Sequence, residues 1–187
     1  MMNPDYKESS ENSITALRDL ARKHLEKAGI RVLYGFYSEP TEKTKSWITI
    51  RDSLNANEAV AISGTADAVA KFYKGVGKSI PAKQRMSDHG LFNTFFKQSV
   101  FDELKKLSDA RDRGELGRTF GWTVAAHKTG TAALMLKTSR VDGIIYGNGL
   151  RHYTDHTTTK SAFSTISTFI KENPSTHHLA KANEYPW

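Results

Sequence analysis

Between Ser87 and Asp109 the apolar residues Phe92, Phe95, Phe96, Val100, Leu104 and Leu107 recur at three- and four-residue intervals. This is the strongest periodic signal in the chain. It predicts one long, phenylalanine-rich amphipathic helix with Ser87 as its N-cap, and a core that the rest of the molecule must complete. A stripe of this kind is a packing face, so the other segments are read by what they can lay against it.

Ser13 to Ala28 predicts a first helix through Ile14, Leu17, Ala21, Leu25 and Ala28, stopped by Gly29. Arg31 to Tyr37 reads as a strand bulky on both faces, and Trp47 to Arg51 as a second short strand. Thr65 to Lys74 predicts a helix ended by Gly75 and Gly77. Alternation from Phe120 to Ala126 predicts a strand, and Ala132–Lys137 fits strand or helix equally. Val141–Tyr146, Gly147-Asn148-Gly149 and Leu150–Thr154 together read as a β-hairpin. Phe163, Ile166, Phe169 and Ile170 predict a last helix, ending before Pro174. The sum is an α+β fold, with three or more helices packed on a small, mostly antiparallel sheet. The expected organisation is a flexible segment over 1–12, a single globular domain over 13–172 and a tail over 173–187.

Charge carries the functional expectation. The chain has 187 residues, a formal net charge of +7 and no cysteine, which excludes disulfides, thiolate metal sites and cysteine nucleophiles. No acidic residue interrupts the run Lys71, Lys74, Lys78, Lys83 and Arg85. Lys71, Lys74 and, just past the end of the predicted helix, Lys78 emerge on roughly one side. Such a cluster suits a phosphate backbone, so the expected function is a non-catalytic nucleic-acid-binding protein, RNA favoured, as a self-assembling nucleoprotein or coat-type subunit. The expected partners are nucleic acid and further copies of the chain through the C-terminal tail. No cofactor, metal or membrane partner is expected, and the expected location is cytoplasmic.

Two alternatives stand beside that reading. A metal-independent RNase or toxin-like enzyme would use His127 or His152 as acid or base, with Lys128, Arg140 or Arg151 at the phosphate. A protein-interaction module would offer the same basic surface to an acidic partner. Gly75-Val76-Gly77-Lys78-Ser79 resembles the end of a phosphate-binding P-loop, but Phe72 stands where that motif needs glycine and a helix precedes it. Tyr34-Gly35-Phe36-Tyr37 is similar to half of the aromatic strand motif of RNA-recognition modules, and it lacks that motif's flanking residues.

Overall fold

The computed structural model describes residues 11–37, 43–91, 97–124, 129–146, 157–181 and 184. Helices and strands alternate along the chain in the order α1 (Glu11–Leu20), β1 (Val32–Phe36), α2 (Lys45–Arg51), β2 (Glu58–Ser63), α3 (Ala66–Lys74), β3 (Arg85–Gly90), α4 (Gln98–Asp112), β4 (Arg118–Val124), α5 (Thr129–Ala133), β5 (Gly143–Tyr146) and α6 (Thr157–Glu172). A π turn (Ala21–Leu25) and a 3-10 turn (Glu26–Ala28) extend α1 to Gly29, whose φ of 73° supplies the left-handed stop. A second π turn, Leu134–Thr138, extends α5. None of the described helices is long and apolar enough to cross a membrane.

All five strands are parallel and lie side by side in chain order, forming one curled half-barrel. This corrects the expectation of a small, mostly antiparallel sheet. The physical reason is visible in β1 and β2, where every residue from Val32 to Phe36 and from Glu58 to Ile62 is buried. Strands covered on both faces belong to parallel βα sheets, whereas antiparallel strands alternate between core and water.

The register assigns the two faces. Tyr34, Phe36, Val60 and Ile62 pack outward against Trp47 and Ile50 of α2, Val69, Phe72 and Tyr73 of α3, and Leu107 of α4. Leu33, Ala59, Ala61 and Met86, with Phe120, form a separate cluster on the concave side. The helices therefore cover the convex face, and the concave face is a lumen with a small-residue wall.

Two local expectations are corrected. Trp47–Arg51 is helical, because Trp47 and Ile50 then fall on one face and are both fully buried, which outweighs the β-propensity of Trp, Ile and Thr. The long helix is two elements: Ser87 to Gly90 belong to β3, and the helix begins only at Gln98, with Val100, Leu104 and Leu107 buried as the stripe requires. The first arm of the expected hairpin holds β5, which pairs in parallel with β4; its turn and second arm, 147–154, lie outside the described residues, as do Phe92, Phe95 and Phe96.

Candidate active site

In a singly wound parallel sheet the carboxyl ends of all strands open on the same side, and the loops that follow them collect there. Side chains alternate across each strand, so the concave set is set by register: Tyr37 beyond β1, Ser63 on β2, Asp88 and Gly90 on β3, Trp122 on β4 and Ile145 on β5. These residues form the mouth of the lumen.

At its centre Trp122 Nε1–H donates to Asp88 Oδ1 at 2.7 Å. Asp88 is only 6% exposed, and its backbone carbonyl accepts from Gly64 N at 3.1 Å, which ties the end of β3 to the loop after β2. The Tyr37 ring meets the Trp122 ring edge-on, with centroids 5.9 Å apart and an interplanar angle of 75°. Tyr37 is 43% exposed and stands at the rim. Gly90 makes the arrangement feasible. A Cβ there would lie 1.4 Å from the Trp122 carbonyl oxygen, and that carbonyl accepts from Leu91 N at 3.0 Å.

His89, one residue from Asp88, points the other way. Its half-buried ring lies against the Gly64 carbonyl, and burial holds its pKa below the ordinary histidine value although the Glu103 carboxylate works in the opposite sense. Glu103 Oε2 accepts from Ala66 N at 2.8 Å, at the start of α3, and Lys106 and that amide hold its carboxyl below the usual range. The pair braces the two loops behind the mouth.

The mouth thus offers a buried carboxylate and two aromatic rings. That combination suits a cation that cannot donate hydrogen bonds, because ring quadrupoles and a fixed anion attract it without needing an N–H. Among the described residues, no group of three or more His, Asp or Glu side chains could hold a metal ion.

Those residues expected from the sequence that the structure describes lie elsewhere. Lys71, Lys74, Lys78 and Lys83 are exposed on α3 and the segment that follows it, at the opposite end of the strands. Arg85 donates to the carbonyls of Ile80 and Lys78 and sits over the Tyr73 ring. Arg140, at a φ of 57°, is bound to Asp112 at 2.6 Å and to Asp109, near the amino end of β5. His127, Lys128, Arg151 and His152 lie outside the described residues. Asp88 was hidden from sequence reasoning by its assignment to a helix. Trp122 and Tyr37 were visible as strand aromatics, and parallel strands would have marked them as mouth residues.

A profile of the sphingomyelinase D/phospholipase D family matches residues 1–187, the whole chain. The chain belongs to the sphingomyelinase D/phospholipase D family. Sphingomyelinase D of Aspergillus flavus is 40% identical over 188 residues, covering 99% of this chain and 64% of the relative. Sphingomyelinase D of Uncinocarpus reesii is 34% identical over 196 residues, covering 99% and 55%. That of Arthroderma benhamiae is 34% identical over 192 residues, covering 100% and 56%. The chain spans 55 to 64% of the length of these relatives. Membership in a family of lipid-directed enzymes overturns the non-catalytic nucleic-acid-binding reading, with its nucleoprotein role and RNA partner. The RNase and acidic-partner alternatives fall with it. The charge cluster misled because excess lysine on helix surfaces also serves solubility, and charge alone names no ligand.

Proposed function

We propose that this chain carries the headgroup-binding wall of a sphingomyelinase D-type site, and that its ligand is the choline end of a phosphosphingolipid. A D-type cleavage breaks the ester between the phosphate and the headgroup alcohol, so the enzyme must hold the quaternary ammonium while water replaces the alcohol at phosphorus. Trimethylammonium has no N–H to offer, and its recognition rests on aromatic faces and nearby negative charge. The observation that carries the reading is the Trp122–Asp88 bond with Tyr37 at the rim. Trp122 donates its one N–H to Asp88, which orients its ring and leaves the carboxylate charge beside it. The names of the relatives support the lipid class.

Isothermal titration of the purified chain with choline and with phosphocholine tests the binding claim, and choline release from sphingomyelin vesicles tests the reaction. Saturable binding of both ligands, lost in Trp122→Ala, is the expected result. Absence of binding at tens of millimolar would remove the headgroup assignment.

A further inference from the structure

Asp88 and His89 are consecutive on β3, so their side chains leave opposite faces of the sheet, Asp88 into the mouth and His89 onto the convex side. Both nevertheless hold the same residue. The Asp88 carbonyl accepts from Gly64 N at 3.1 Å, and the His89 ring donates to the Gly64 carbonyl. Gly64 lies in the turn between β2 and α3, so the end of β3 grips that turn by both backbone groups of one glycine. On the other flank, Leu91 N donates to the Trp122 carbonyl at 3.0 Å. Four successive residues, Asp88 to Leu91, thus stitch the turn after β2 to the end of β4.

The turn matters to the mouth because Ser63, just before Gly64, stands opposite Asp88 in the strand register. A slip of the turn moves the wall beside the carboxylate, and a misplacement of about 1 Å in a positioned group is enough to cost binding or rate.

The charges around the His89 ring favour its neutral form. From α4 the Glu103 carboxylate faces it, but both oxygens of that group are engaged, Oε2 by Ala66 N at 2.8 Å and Oε1 by Lys106 Nζ at 2.7 Å. Asp67, in the first turn of α3, and Asp102 of α4 attract Lys106. The turn Ser63-Gly64-Thr65 brings a carbonyl and no charge. A proton on the half-buried ring would therefore be poorly compensated. It would also set a positive charge behind Asp88, of the same sign as a quaternary ammonium in the mouth.

We propose that His89, as the neutral imidazole, is a positioning residue of the headgroup site: through Gly64 it fixes the turn after β2 against the end of β3, and with it the angle at which the Asp88 carboxylate meets the Trp122 ring. The proposal rests on the headgroup reading of the mouth, and it makes headgroup affinity fall as His89 takes up a proton.

The test compares wild type, His89→Leu and His89→Gln in the purified chain. Choline affinity is measured by calorimetry at pH 7.5 and 5.5, below the melting temperature at each pH. Exchange of the Gly64 amide without ligand, corrected for its intrinsic rate, is the second readout. Leucine fills the space without a donor, whereas glutamine keeps an N–H for the Gly64 carbonyl and cannot take a proton. His89→Leu is expected to bind choline about tenfold more weakly at pH 7.5 and to exchange Gly64 about tenfold faster. His89→Gln should restore both to within about threefold of wild type. Wild type should lose about fivefold in affinity from pH 7.5 to 5.5, and His89→Gln should not. If His89→Leu does not fold, wild type and His89→Gln compared across pH decide the matter. Wild-type affinity in His89→Leu, or a pH profile that His89→Gln leaves unchanged, overturns the proposal. If wild type binds no choline, the headgroup reading fails by itself, and positioning is then judged by Gly64 exchange: exchange that neither variant nor pH alters overturns it as well.

Discussion

Arg22 grips Glu58 with two parallel hydrogen bonds, Nε to Oε1 at 2.9 Å and Nη2 to Oε2 at 2.7 Å, across the amino ends of the strands. The carboxylate is only 1% exposed and also accepts from Tyr34 Oη and Asn55 N, each at 2.9 Å. This bond raises the Arg22 pKa, and burial beside Glu58 drives the Tyr34 phenol well above its usual value. Removing one partner strands a buried charge. Arg22→Met is expected to cost roughly 3 kcal/mol in urea unfolding, because Tyr34 and Asn55 still reach the carboxylate. Tyr34→Phe is expected to cost about 1 kcal/mol by the same measurement.

At the opposite end, Asp88→Asn retains the shape of the mouth and removes its charge, and is expected to weaken choline binding about tenfold by calorimetry. Trp122→Phe keeps a ring but takes the donor from Asp88. It should lower affinity by about three- to thirtyfold, the range of a cation–π contact. Equal affinity in both variants would place the headgroup elsewhere.

Gly90→Ala sets a methyl against the Trp122 carbonyl, which is backbone and has nowhere to go. A loss of about 3 kcal/mol is expected, the upper end of overpacking. Thermal unfolding gives the loss, and near-ultraviolet dichroism of the displaced Trp122 shows where it occurs.

His89 gives the fold a pH dependence of definite sign. Its folded-state pKa lies below 6.5, so between the two values the unfolded chain binds more protons than the folded one. Stability therefore falls as pH drops through 6.5 and levels off below the folded-state pKa. Glu103, lowered from 4.5, adds its own loss only at more acid pH. The melting temperature should decline from pH 7.5 to 5.5, and His89→Gln should flatten that decline.

Local pattern revealed several elements and hid their arrangement. Ile14 and Leu17, Val69 with Phe72 and Tyr73, and Val100 with Leu104 and Leu107 have the spacing of their helices; β1 lies inside its predicted strand, and β4 overlaps its own from Phe120 to Val124. Orientation was not legible, because whether two strands run together depends on partners far along the chain. The clue was Val32–Phe36 itself, apolar toward both faces, which only a doubly covered strand tolerates. Glu58–Ser63 went unassigned because its alanines are small and its first residue is a buried acid that needs Arg22 from another element. The mouth was illegible for the same reason: Asp88 and Trp122 are 34 positions apart and meet only through pairing of β3 with β4.

Chain-order pairing means that no strand waits for a distant one. Each new strand can add to the one just laid down, nucleation can begin at any interior pair, and native-state opening should spread inward from the two flanks while β2 and β3 hold longest. A ribosome extruding such a chain would release ordered layers before synthesis ends.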